Sequence, residues 1–275
     1  MPIDKLPIWL DKTKEVTEYS KPRWFSSLTR PKQDAVFYLW CIDTFNATAI
    51  EKGLKLTAKQ LAEITGNAAV ETGHGQDWKG NNWGGVKINK PYTVSYFNTT
   101  NDTPKWFKAE GHVAGGDAPI VYYIYFETPQ KYAEYWLDKF VPYDYFKEDQ
   151  IEENKKTRYY KTAKAFWNNF NDEDNHWFYE LCVSGYKGDV TKKNPKPSVD
   201  TLFSCTARVK TMTSQLILET TPDGVWGLKS KEACIKFQVK FGIKPSGELD
   251  DLTFQTLLNS YFTLAEYSKN LKFQF

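Results

Sequence analysis

The sequence lacks most of the features that assign a chain quickly. Its four cysteines, Cys41, Cys182, Cys205 and Cys234, are far apart and form no C-x-x-C pair. Neither a zinc knuckle nor a dithiol redox motif is therefore present. A chain of 275 residues also has no need of disulfide staples, so reduced and mostly buried thiols are expected. The histidines His74, His112 and His176 stand at no metal-ligand spacing and near no cysteine, and no metal or other cofactor is expected. No apolar run approaches the roughly 20 residues that span a bilayer. The start, MPIDKLPIWLDKTKEVTEY, lacks the basic and then apolar stretches of a secretory leader. A soluble chain without a membrane partner is the expectation. Net charge is only +2, too small for the basic footprint of a nucleic-acid-binding protein. No internal repeat and no low-complexity tract stands out.

Aromatic residues, by contrast, are abundant at 16%. Such an excess suits stacking on sugars or bases, although most of these rings are expected in the core. The pattern is mainly helical. Pro31–Gly53 carries Ala35, Phe37, Tyr38, Cys41, Ile42 and Phe45 at helical spacing, with Pro31 suited to a first turn. Thr57 and Gln60 form a capping-box pair ahead of a stripe of Leu61, Ile64, Ala68 and Glu71, which Gly73 and Gly75 end. Gly66 weakens the middle of this helix by about 1 kcal/mol relative to Ala and invites a kink. Ile88–Ile124 is rich in β-formers and turn residues, and helical patterns return at PQKYAEYWLDKF and RYYKTAKAFWNNF. Tyr186–Asp200, with Gly188, Pro195 and Pro197, reads as a linker. Three helical patterns come after it: ARVKTMTSQLIL, KSKEACIKFQVKFG and DLTFQTLLNSYF, joined by the turns TPDGVWG and KPSGELD.

The segment VETGHGQDWKGNNWGGVK, Val70–Lys87, holds the best candidate for chemistry. Glu71 falls on the inward stripe at a helix end, where loss of hydration raises a carboxyl pKa and equips it to donate a proton. The alternative is a last-turn glutamate that reaches water or pairs with a lysine. Asn81, Asn82, Trp83, Gly84 and Gly85 add amides, an aromatic face and close backbone approach, which suit an N-acetylated sugar.

ETGHG followed by NNWGGVK resembles the glutamate and the "N-N-x-x-G-I-K" element of the glucosaminidases of glycoside hydrolase family 73, which are lysozyme-like peptidoglycan hydrolases. VYYIYFETPQKYAEYW resembles that family's "F-R-x-Y" strand and the helix after it, with Tyr123 in place of the Arg and Tyr125 at the Tyr. The resemblance covers about Thr57 to Phe140. It implies that Glu71 is the general acid for a β-1,4 bond beside N-acetylglucosamine. Glu110 is the first candidate for a second carboxylate, with Asp117 and Asp102 as rivals, unless the substrate's own N-acetyl group attacks. Asn82, Trp83, Tyr123, Tyr125 and Trp106 are the expected substrate contacts.

TPDGVWGLKSKEACIKFQVKFGI and SGELDDLTFQTLL resemble a peptidoglycan-binding domain with the pattern "D-G-x-F/W-G…F-Q-x-x-x-G-L…G". Asp223 and Trp226 are its expected wall contacts. The fold expected is mainly α: a lysozyme-like helical domain with a small β-lobe over residues 1–187, a linker at 188–198, and a three-helix peptidoglycan-binding domain over 199–275. A monomer acting on bacterial peptidoglycan is expected, made without a leader as an endolysin, a virion-associated lysin or a delivered effector. The alternatives are a muramidase, lytic transglycosylase or chitinase, or a non-catalytic wall-binding phage component.

Overall fold

A computed structural model describes residues 11–18, 23–77, 80–88, 103–110, 120–139 and 196–268, together with Phe97, Phe166, Trp177, Phe178 and Leu181. Within these residues the chain is mainly helical, with six helices of more than ten residues and one two-stranded antiparallel sheet. The helices are α1 (Arg30–Glu51), α2 (Ala58–Glu71), α3 (Pro129–Lys139), α4 (Lys196–Ile217), α5 (Leu228–Lys240) and α6 (Asp251–Ser268). The strands are β1 (Lys105–Glu110) and β2 (Ile120–Tyr125), in a register that sets Lys105 opposite Tyr125 and Glu110 opposite Ile120. No helix among the described residues is long and apolar enough to cross a membrane.

The start of α2 obeys its sequence. Thr57 Oγ1 accepts from Gln60 N at 3.2 Å, and Gln60 Oε1 accepts from Thr57 N at 3.0 Å, so two otherwise unpaired helix-end donors are satisfied. A third, Ala58 N, donates to Gln255 Oε1 of α6 at 2.8 Å. From Ala58 to Ala69, α2 is buried almost without interruption.

Different parts of the chain cover α2. Gly66 meets α4: a Cβ there would lie 2.5 Å from Thr206 Oγ1 and 3.1 Å from Thr206 N. Gly66 is a point of close helix crossing, where only a glycine lets the backbones approach. One turn back, Glu63 is 3% exposed and accepts from Trp177 Nε1 at 2.7 Å.

One apolar core joins α1, α2, β2, α3, α4 and α6. Much of the aromatic excess is here: Trp83 packs edge-on against Phe37, Trp40 and Tyr132, and Trp136 against Phe45, Phe166 and Trp177. Such edge-to-face pairs add about 0.5–1.5 kcal/mol each beyond their buried area. Cys41, Cys205 and Cys234 are free and buried, and burial pushes the Cys41 thiol up to about 12. Cys182 lies outside the described residues.

Helix α4 starts at Lys196, inside the stretch read as a linker, and runs eleven residues ahead of the predicted helical pattern. Its Val199, Leu202, Val209 and Met212 enter the same core as α1 and α2. Packing of α2 on α4 is the most extensive between any two helices among the described residues.

Helices α4 to α6 and the loops between them contain a repeat that sequence inspection does not reveal. Gln215 and Gln238 are each almost fully buried and hold the loop at the end of their helix. Gln215 Oε1 accepts from Gly224 N at 2.9 Å, and Gln238 Oε1 accepts from Gly247 N at 2.9 Å. Gln215 Nε2 donates to Asp223 Oδ1, Val225 O and Ser230 Oγ. Gln238 Nε2 donates to Ser246 Oγ, Glu248 O and Thr253 Oγ1. Each partner in the second set stands 23 residues after its counterpart in the first. Gly224 and Gly247 share a left-handed φ, +80° and +73°. The two helix–loop units are therefore built on one plan.

Candidate functional site

Glu71 is the last residue of α2 and is half-buried rather than sunk in the core. The chain then winds into a tight turn. Gly73, His74 and Gly75 are all left-handed, with φ of 53°, 62° and 78°. His74 is the only one of the three for which that conformation is sterically unfavourable. Thr72 organises the turn: its Oγ1 donates to Ala68 O at 2.8 Å and accepts from Gly75 N at 2.8 Å. Asp77 N closes it on Thr72 O at 2.8 Å.

The loop from Gly80 to Ile88 crosses in front of Glu71. A Cβ on Gly85 would lie 3.7 Å from Glu71 Oε2, so the carboxylate rests against this loop's backbone. The loop is laid along β2 by Phe126 N to Gly80 O, Ile124 N to Val86 O and Ile88 N to Tyr122 O. Asn82 fastens it. It is 2% exposed, donates through Nδ2 to Val86 O and Ile124 O, and accepts Val86 N at its Oδ1. Both amide hydrogens are used, so Asn82 holds the loop to the strand, and no donor is left over for a ligand.

The other expected contacts divide by burial. Trp83 is 2% exposed and its indole N–H has no hydrogen-bond partner among the described residues. Trp106 is equally buried, donating to Asp11 O at 2.9 Å under the N-terminal segment. Tyr123 is stacked on Phe107 across the β1–β2 pair, with ring centroids 5.4 Å apart. All three are packing residues. Tyr125 is half-exposed, and its ring lies against Gly80 (φ +50°), where a Cβ would collide with it. Beside it opens a cavity of about 550 Å³ whose walls include Tyr125, Phe97, Ile124, Phe126, Lys14 and Glu127. Glu71 is not among its walls.

Glu110 closes β1 at the end of the sheet away from Tyr125. Its partner Ile120 is four residues from Ile124, roughly 14 Å along the strand. The Glu110 side chain, Asp102, Asp117, His112 and His176 lie outside the described residues.

In the C-terminal units, Asp223 Oδ1 accepts from Val225 N at 2.9 Å and from Gln215 Nε2 at 2.8 Å. Those two bonds, the backbone one first, hold its carboxyl below the usual range. Trp226 Nε1 donates to Gly247 O at 2.9 Å and so ties the first loop to the second. Asp223 and Trp226 thus build the loops, while their neighbours Val225 and Leu228 stand exposed.

A further cluster, not predicted from sequence, sits behind Glu71. Asp34 of α1, 2% exposed, accepts from Arg30 Nε at 2.8 Å and from Arg208 Nη2 at 3.2 Å. Tyr38 Oη is 2.6 Å from His74 Nδ1, and Cys205 Sγ is 3.9 Å from the same nitrogen. Burial lowers the His74 pKa, and the cations Arg208 and Arg30 add to this against the pull of Asp34. Burial raises the Tyr38 pKa. A neutral imidazole accepting the Tyr38 proton fits both directions. Asp34 and Tyr38 are one helical turn apart, but nothing local in the sequence pairs them with α4, far along the chain. Compared with protein-family models, curated proteins and solved structures, the chain matches none of them.

Proposed function

We propose that the chain is a lysozyme-like peptidoglycan hydrolase, an endo-β-N-acetylglucosaminidase with Glu71 as general acid and a wall-binding C-terminal part. The observation that carries this reading is the position of Glu71. Its carboxylate stands at a helix end against the backbone of a loop that Asn82 pins to β2. A proton donor so placed is fixed relative to the sheet, as transfer to a glycosidic oxygen requires. Tyr125 offers the half-exposed ring for stacking a sugar, and the adjoining cavity is within the size range of small-ligand pockets.

In the reaction, Glu71 gives its proton to the bridging oxygen as the bond to the anomeric carbon breaks. Water then adds at that carbon, directly or after the substrate's own acetamido oxygen has captured it, and gives up its proton to the Glu71 carboxylate or to solvent. Wall binding falls to the surface of the first repeat loop, where Val225 and Leu228 are exposed beside Trp226. Holding the enzyme on an insoluble polymer raises the local concentration of its substrate.

Glu71→Gln removes the acidic proton and keeps the side chain's shape. Wall lysis by the purified variant is expected to fall about a hundredfold or more with unchanged thermal stability. Mass spectrometry of borohydride-reduced products identifies the bond: N-acetylglucosaminitol ends support a glucosaminidase, N-acetylmuramitol ends a muramidase, and anhydro ends a transglycosylase. Undiminished lysis by Glu71→Gln removes Glu71 from the mechanism. Wild-type chain that sediments with walls but never cleaves them favours a binding protein.

A further inference from the structure

The turn behind Glu71 is held by hydrogen bonds that end on a residue of the C-terminal half. Arg208 lies in α4, and its side chain is 41% exposed. Its Nη2 donates to Asp34 Oδ2, and its guanidinium acts electrostatically on the Tyr38 hydroxyl. From Asp34 the path continues through Arg30, whose Nη2 donates to Gly73 O at 3.2 Å. From Tyr38 it continues to His74 Nδ1. A hydrogen-bonded path thus reaches Gly73, and an electrostatic one reaches His74 through Tyr38, in the left-handed turn just past Glu71.

Arg208 also faces the other way. A Cβ on Gly224 would lie 3.3 Å from Arg208 Nη1. Gly224 is the glycine of the first repeat loop, fixed through its N–H by buried Gln215. The guanidinium therefore lies between the loop read as wall-binding and the Asp34–Tyr38–His74 cluster. Its Nε is buried without a partner among the described residues, so the Nη2 bond to Asp34 sets its orientation.

We propose that Arg208 is a positioning residue: from the C-terminal half it holds the Glu71 turn through Asp34 and Tyr38, and it couples that turn to the Asp223–Gly227 loop. The C-terminal half is then part of the catalytic scaffold as well as an anchor. The proposal rests on the glycosidase reading for its kinetic consequence, but its structural consequence can be measured without it.

The test uses the full chain carrying Arg208→Met, Arg208→Lys, Asp34→Asn or the Arg208→Met/Asp34→Asn pair. In Arg208→Met, kcat for wall lysis is expected to fall about tenfold, with KM and wall sedimentation within about twofold of wild type. Arg208→Lys keeps the charge beside Asp34 and is expected to recover part of the loss. The double variant is expected to be no worse than the more damaged single one, since both break one network. Amide hydrogen exchange at His74 and Asp77 should quicken about tenfold in Arg208→Met, with the amides of α6 unchanged. Unchanged exchange at His74 and Asp77 overturns the proposal, as does lysis lost only in proportion to the unfolded fraction. If the wild-type chain cleaves no glycan, the glycosidase reading fails and exchange alone decides the role of Arg208.

Discussion

Gly66→Ala sets two effects of opposite sign against each other. In an isolated helix the change stabilises by about 1 kcal/mol, because alanine loses less backbone freedom on folding. In this fold the new Cβ would lie 2.5 Å from Thr206 Oγ1, 3.1 Å from Thr206 N and 3.2 Å from Thr206 Cα. The hydroxyl is tethered to Leu202 O at 2.9 Å and cannot swing away without losing that bond. The backbone atoms cannot move unless α4 moves, and α4 is packed into the core along much of its length. Overpacking of this kind costs about 1–3 kcal/mol, and contact with backbone places it at the upper end. The net expectation is a loss of about 2 kcal/mol, seen as a melting temperature lower by about 4–6 °C. Adding Thr206→Ala removes the closest contact and leaves the two backbone ones. A double-mutant cycle should then return a favourable coupling of about 1 kcal/mol. Urea or thermal unfolding monitored by circular dichroism measures all four proteins. A Gly66→Ala variant as stable as wild type, or more so, would refute the close α2–α4 crossing.

Gln215→Leu and Gln238→Leu each strip a buried loop of its acceptor and donors. Each should cost about 2–4 kcal/mol in urea unfolding, and the two values should agree within about 1 kcal/mol if the repeat units are equivalent; a silent substitution at either site refutes that equivalence. His74 supplies a pH dependence. Its folded pKa lies below the ordinary imidazole value of 6.5, burial being the main cause, so folding favours the neutral ring. This contribution is fully present above the unfolded pKa and is lost as pH falls through the depressed folded value. The melting temperature should therefore drop more between about pH 7.5 and 5.5 in wild type than in His74→Asn, a replacement that tolerates the left-handed turn. Equal drops would show that His74 does not titrate against the fold.

Much of the architecture is legible because it is written locally. The α2 cap needs only Thr57 and Gln60 three residues apart, and both reciprocal bonds form. The turns DGVWG and SGELD carry their own glycines, and Gly224 and Gly247 adopt the left-handed φ that only glycine takes without cost. The start of α4 is harder to read, although the same kind of signal marks α1. Pro31 comes directly after the first residue of α1, and Pro197 directly after the first residue of α4. In the second case the neighbouring lysines and Pro195 outweigh it, and a helix start looks like a linker. Asn82 and Trp83 show a different limit. A loop has no periodicity from which to read inside and outside, so residues suited to a sugar point to one although both are buried.

The 23-residue repeat is hidden for a related reason. Its equivalence resides in a glutamine, a glycine and a few hydrogen-bonding partners, and Asp223 in one unit is Ser246 in the other. Helix surfaces that face different neighbours obscure so sparse a pattern, and it emerges only when each amide is traced to its partners. The same holds with more consequence behind Glu71. Arg208, Asp34, Tyr38 and His74 are ordinary residues at helix and turn positions, and no motif unites them. They meet where α1 and the turn after α2 pack on α4, and the α2–α4 part of that packing depends on Gly66 having no side chain. Read alone, that glycine marks a weak point in a helix. In the fold it brings α4 close enough to α2 for Arg208 to reach the cluster that steadies the one carboxylate proposed for proton transfer.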